Sequence, residues 1–227
     1  HSFPTRRSSD LSLEVKNTVP DEAPITANAT VGGGNGGKPP KRCKNKDMRP
    51  REYLTCEEVE TLTRLARKST RNPIRDAAMI LMAFRHGLRV SELCALSWRQ
   101  IDFDAGRIDV IRIKNGYSSP HPLSGDELRL LRQIQRGKVA SPYIFTSELG
   151  TPLSTDGFRK MLSRLAKKAG FAFCIHPHML RHACGFKLAN DGVDTRTIQD
   201  YLGHKNIQHT VTYTKLSMDR FHGLWKG

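Results

Sequence analysis

The segment RIDVIRIKNG, residues 107–116, carries the strongest β-signal in this chain. Branched residues fill RIDVIRI, and Asn115-Gly116 is a strong two-residue hairpin turn. Long stretches on both sides read as helices. Thr55 with Glu58, and Ser124 with Glu127, have the spacing of a capping box. Asn72-Pro73 and His176-Pro177 place a proline at the start of a helix, and Ser154 can cap another. Gly87, Gly170, Gly192 and Gly203 follow apolar runs of helical spacing and read as stops. The expected fold is therefore α+β: mostly helical, with one small antiparallel sheet.

This order is expected to begin near Tyr53. The reading divides the chain into a disordered tail, residues 1–48, and one folded domain, residues 49–227. HSFPTRRSSDL lacks an initiator Met and clear periodicity, and VGGGNGGKPP reads as a flexible linker. A basic run follows, with Lys41, Arg42, Lys44, Lys46, Arg49 and Arg51. It reads equally as a DNA-contacting arm or as a solvated tail.

Net charge is +15, which calls for an anionic partner, most simply nucleic acid. The longest nearly apolar run, Ala77 to Phe84, is far short of the ~20 residues of a membrane span. No signal peptide is visible, so a cytoplasmic protein with no membrane partner is expected. The five cysteines are scattered and none forms CxxC, which favours reduced thiols over a disulfide framework or a zinc site.

Residues 176–213 hold the chemistry. HPHMLRH supplies His178 and Arg181, LGH supplies His204, and Tyr213 lies on a segment that Asn206 can cap. Upstream, HGLRVSEL adds Arg89 and the hairpin tip adds Lys114. Such a set suits attack of a tyrosine on a phosphodiester. Two guanidiniums can each donate a pair of hydrogen bonds to the phosphate oxygens, where negative charge develops. Fixed donors of this kind typically contribute ~3 kcal/mol each. Lysine on a hairpin tip can protonate a departing 5′-hydroxyl. A phenol of pKa about 10 needs a nearby base or cationic field, for which His178 and the arginines are candidates.

Each residue also has a plainer role. Arg89 could neutralise a helix end, Lys114 could be a solvated turn residue, His178 and His182 could be an ordinary pair one turn apart, and Tyr213 could be packing. The combination is more specific than any member. His176, His178 and His182 could suggest a metal, as in relaxase chemistry, but no acidic residue stands among them and Pro177 opens a helix rather than a strand. No metal is expected.

HGLRVSEL, the hairpin lysine, HPHMLRH, LGH and a tyrosine nine positions later resemble the catalytic domain of tyrosine recombinases of the phage-integrase type, from about Tyr53 to Trp225. Within that family, HPHMLRHACGFKLANDGVDTRTIQDYLGHKNIQHTVTYT and the closing RFHGLW look most like the small fimbrial phase-variation recombinases of bacteria. The resemblance implies a site-specific recombinase that inverts, integrates or excises DNA through a 3′-phosphotyrosyl link. Arg89 and Arg181 would grip the phosphate, Lys114 would be the general acid, His178 would assist proton transfer and His204 would bond the phosphate. Tyr213 would be the nucleophile. It implies no cofactor, a homotetramer on double-stranded DNA, possible accessory DNA-bending proteins, and a place in the bacterial cytoplasm at the nucleoid. Larger integrases carry a helical core-binding domain before the catalytic one; here the basic run is expected to replace part of that grip. Two other functions fit the same residues: DNA relaxation as by a type IB topoisomerase, and a non-catalytic DNA-binding remnant of an integrase.

Overall fold

The computed structural model describes residues 51–113, 118–137 and 141–215. Lys114, the basic residues 41–49 and the stretch MDRFHGLW lie outside the described residues. Helices α1 (Cys56–Ser69), α2 (Pro73–Arg85) and α3 (Val90–Cys94) come first. A short 3₁₀ turn (Trp98–Gln100) leads into strands β1 (Ile101–Asp102), β2 (Arg107–Val110) and β3 (Ser119–Pro122). Helices α4 (Gly125–Gln135), α5 (Thr155–Lys168), α6 (Pro177–Asn190), α7 (Thr195–Leu202) and α8 (Gln208–Lys215) complete the fold. The strands form an antiparallel meander in the order β1-β2-β3, with Ile108 opposite both Ile101 and His121. This is the expected α+β fold.

Helix starts follow the local chemistry. Thr55 and Glu58 close the capping box of α1: Glu58 N donates to Thr55 Oγ1 (3.3 Å) and Thr55 N to Glu58 Oε2 (2.9 Å). Ser124 N likewise donates to Glu127 Oε2 at 2.9 Å. Pro73 and Pro177 stand in the first turns of α2 and α6, where the missing N–H costs nothing. The Asn206 side chain accepts from Gln208 N (2.9 Å) at the head of α8.

Helix α2 is the central beam. Ala77, Ala78, Met79, Ile80, Met82 and Ala83 are all buried on it, and it packs against α1, α4 and α6. Burying a methionine or isoleucine side chain of this kind contributes about 1.5–3 kcal/mol, so the beam is anchored on every side. Its buried Asp76 is held by Arg75 at 2.7 Å, and Arg75 Nη1 also donates to Thr146 O at 2.8 Å. Helix α6 runs beside it and packs in turn against α7 and α8.

The expected strand 107–113 ends at Val110. Beyond it the alternation of burial continues although the ladder stops: Arg112 is turned inward, and Ile111 and Ile113 are each 57% exposed. The Arg112 guanidinium has found acceptors in the interior, and its backbone N–H bonds the Ser118 hydroxyl (3.3 Å) instead of the opposite strand.

Candidate active site

The site grows from the turn that ends α2. Gly87 sits at φ +55°, in the left-handed region that glycine adopts without strain. A β-carbon there would collide with Leu202 at the end of α7. The close approach lets one carbonyl, Gly87 O, accept from two arginines that arrive from different elements. Arg181 on α6 donates through Nη1, and Arg112, beyond β2, donates at 3.4 Å. Both then reach α7: Arg181 Nη2 donates to Leu202 O (2.7 Å) and Arg112 Nη2 to Tyr201 O (2.7 Å), and Arg112 Nη2 also donates to His86 O at the end of α2 (3.2 Å).

Glu92 ties Arg89 to this pair. Its Oε1 accepts from Arg89 Nη1 (2.7 Å), and its Oε2 from Arg112 Nη1 (2.9 Å) and Arg89 N (2.9 Å). Burial opposes ionisation of Glu92. The Arg89 backbone N–H and the Arg112 charge, helped by side-chain bonds from both arginines, outweigh it and hold the carboxyl below its ordinary range. Burial, then the charges of Arg112 and Arg89, lowers Arg181 to about 10, which leaves it cationic at neutral pH. Two guanidiniums thus bond one carboxylate, and a third, Arg181, stands near enough to feel its charge. The excess positive charge suits an anion.

Tyr213 is buried at 2% exposure, with its ring laid on Gly185 of α6. A β-carbon at Gly185 would stand 2.6–2.7 Å from three ring atoms, so glycine makes the seat. Around the ring stand Phe186 (centroids 5.1 Å apart), His182 (5.7 Å) and His204 (6.2 Å). The hydroxyl lies 2.9 Å from His182 Nδ1. Burial pushes the phenol up to about 12, against the pull of Arg181 and Arg89. His182 is lowered to about 4, by burial and then by the charges of Arg181 and His176. The resting pair is therefore a protonated phenol and a neutral imidazole.

His204 stands in the turn after α7, 8% exposed, with Nδ1 2.9 Å from the hydroxyl of the fully buried Thr210. Burial, then the charges of Arg181 and Arg89, lowers it to about 3. His178 is exposed on α6, and its ring meets His182 edge-on at 4.5 Å. Arg51 ion-pairs with Glu58 and lies over the Phe173 ring (5.0 Å). A second histidine group braces β3 behind the site. His86 Nε2 lies 3.1 Å from Glu127 Oε1, His86 Nδ1 3.3 Å from His121 Nδ1, and His121 stacks on Tyr201 at 3.8 Å.

Arg89, His178, Arg181, His204 and Tyr213 are thus brought to one region: the charges of Arg89 and Arg181 bear on His178, His204 and Tyr213 alike. Sequence reasoning missed Glu92 and Arg112, and it treated His182 as the companion of His178 or as a metal ligand, not as a partner of Tyr213. One signal was available for Arg112. It continues the inward parity of Ile108 and Val110. Among the described residues no three His, Cys, Asp or Glu side chains gather as a metal site, and no helix is long and apolar enough to cross a membrane.

Comparison with known proteins adds a lineage to this geometry. The sequence pattern of the phage integrase family matches residues 52–220. The chain is 43% identical over 188 residues to the type 1 fimbriae regulatory protein FimB of Escherichia coli (strain K12), covering 80% of this chain and 94% of that one. It is 33% identical over 185 residues to tyrosine recombinase XerC of Bacillus pumilus (strain SAFR-032), covering 77% of this chain and 60% of that one. Among solved structures, the Tn1549 transposon integrase in complex with transposon right end DNA superposes with a TM-score of 0.65 at 23% identity. That match covers 74% of this chain and 62% of the integrase.

Proposed function

The chain belongs to the phage integrase family, and from that premise we propose that it cuts and rejoins DNA strands through Tyr213. It is a site-specific DNA recombinase of the tyrosine type, and its partner is DNA. One observation carries the assignment of the reacting group: the buried Tyr213 hydroxyl rests on a neutral histidine, in the field of two arginines.

In the proposed reaction the phenol oxygen of Tyr213 attacks the scissile phosphorus. The bond from phosphorus to the 5′-oxygen breaks, and a 3′-phosphotyrosyl link remains. Arg89 and Arg181 hold the non-bridging oxygens, where their charge counts most as negative charge develops. His204 donates a further hydrogen bond, and His178 assists proton transfer. Lys114 protonates the departing 5′-hydroxyl. Attack by a 5′-hydroxyl from a second duplex reverses the step and joins new partners. The link conserves the bond energy, so no nucleotide cofactor enters. Strand exchange between two duplexes needs a nucleophile for each strand, which a homotetramer supplies; accessory DNA-bending proteins would bring the duplexes together. The basic residues Lys41, Arg42, Lys44, Lys46 and Arg49 are proposed to add phosphate contacts, with Arg51 engaged at the domain surface. A place in the bacterial cytoplasm at the nucleoid follows from the substrate.

Strand exchange between two labelled duplexes tests the reading. Recombinant products that need Tyr213 support it. Relaxation of supercoiled plasmid with no exchange would favour a topoisomerase, and binding with no covalent product would favour a remnant.

A further inference from the structure

The contact between Tyr213 and His182 is a hydrogen bond between the nucleophile and a group able to take its proton. His182 Nδ1 is 2.9 Å from the phenol oxygen, and Tyr213 is held on Gly185 one helical turn further along the same face of α6. His178, one turn back, turns its ring edge-on to His182 at 4.5 Å and is exposed. The three rings make a row from the buried phenol to solvent.

We infer that His182 is the general base that takes the proton of Tyr213 during DNA cleavage, and that His178 carries that proton outward. This rests on Tyr213 being the nucleophile. As the phenol oxygen bonds to phosphorus, its proton passes to His182 Nδ1 and the electron pair of the O–H bond stays on oxygen. The bond to the 5′-oxygen breaks, and that oxygen takes a proton from Lys114. The His182 imidazolium then sheds its Nε2 proton toward His178 and water. On rejoining, the attacking 5′-hydroxyl gives its proton to Lys114, Nε2 takes a proton back from His178 and water, and Nδ1–H returns a proton to the departing phenolate.

The resting pair strongly favours the protonated phenol, which keeps the nucleophile quiet without DNA. Transfer becomes favourable only as the forming bond to phosphorus drains electron density from the phenol oxygen; a general base acts in the transition state. The groups bearing on the row are His178 and Arg181 from α6, His176 at its N-terminal cap, Arg89 at the head of α3, Cys184 next to Gly185 on α6, and His204 across the ring. Arg181 is a principal cation lowering the basicity of His182. A phosphodiester bound there offsets that charge and raises the basicity.

The test separates base from mere neighbour. His182→Asn keeps an acceptor oxygen near the place of Nδ1 but takes no proton; His182→Gln is the second variant should the first fail to fold. Each is combined with a ring-fluorinated tyrosine at position 213, whose phenol ionises more readily. The probe is a nicked duplex enriched from random-sequence DNA by covalent capture on the wild-type chain. Single-turnover cleavage should slow on the order of 10²-fold in the variant. The fluorinated tyrosine should restore most of that loss while scarcely changing the wild-type rate. Cleavage by the variant at the wild-type rate, or an equal loss with either tyrosine, would overturn the inference. A wild-type chain that captures no DNA would instead overturn the assignment of Tyr213.

Discussion

Arg112, just beyond β2, and Arg181, on α6, donate to the same carbonyl oxygen, that of Gly87. The shared acceptor fixes the distance between the segment that follows β2 and the helix that carries Arg181, the proposed phosphate ligand. Arg112 also spans His86 O, Tyr201 O and Glu92, which makes it a positioning residue for both Arg89 and Arg181. Arg112→Met should leave the carbonyls of His86, Gly87 and Tyr201 without this donor and remove one cation from Glu92. The expected loss is about 3 kcal/mol of unfolding free energy, with slower covalent capture of DNA. Chemical denaturation checks the first and an adduct assay the second; a change within about 0.5 kcal/mol would contradict the role.

Gly185→Ala isolates the seat of Tyr213, the proposed nucleophile. Alanine is favoured over glycine within a helix by about 1 kcal/mol, so α6 itself should tolerate it. The added methyl cannot coexist with the Tyr213 ring as placed, so the ring must shift. Circular dichroism should show an intact fold while adduct formation falls by about tenfold or more, as expected when a reacting atom is displaced by about an ångström. An unchanged rate would mean that the phenol does not react from this seat.

Acid should weaken the fold before it protonates ordinary carboxylates. Burial, then the charges of His86 and Arg112, lowers His121 to about 3, and His204 is lowered similarly. A histidine lowered in the folded state contributes stability that is full above its unfolded pKa, about 6.5, and is lost as pH falls from there toward the folded value. The unfolded chain binds the extra protons. Each fully coupled histidine contributes at most about 1.4 kcal/mol per pH unit in that window. The melting temperature should fall steadily from pH 7 to pH 5. His204→Asn should flatten the fall; a wild-type melting temperature independent of pH over this range would contradict the buried, neutral state.

Removing residues 1–50 should weaken DNA binding and flatten its dependence on salt. For every phosphate that the segment neutralises, its removal should make the slope of log affinity against log salt shallower by about 0.9. Titration at several salt concentrations measures this. Equal slopes with and without the segment would show that Lys41 to Arg49 do not engage phosphates.

Local structure was the most legible part of the sequence. The capping boxes at Thr55 and Ser124 and the prolines at 73 and 177 act within a few residues, and the structure has each of them in place. The site was legible mainly through the resemblance to a family, because Arg89 and Arg181 converge only in the fold. Glu92 and Arg112 escaped notice for a related reason: strand parity turns Arg112 inward, but nothing in the spacing names Glu92, 20 positions away, as its partner. His182 was visible as a neighbour of His178, but its place against Tyr213 depends on α8 folding back over Gly185, which no spacing within α6 specifies. Ile111 and Ile113 belong to the branched run that signals a strand, and they face outward as strand parity requires although the ladder has ended.

The most direct measurement is covalent capture. Wild-type chain and Tyr213→Phe are incubated with a nicked duplex in the presence of EDTA and resolved on a denaturing gel. The account predicts a protein–DNA adduct with the wild type and none with the variant, with both binding the duplex equally. An adduct that persists in Tyr213→Phe, or a wild type that binds its cognate duplex and forms none, would contradict it.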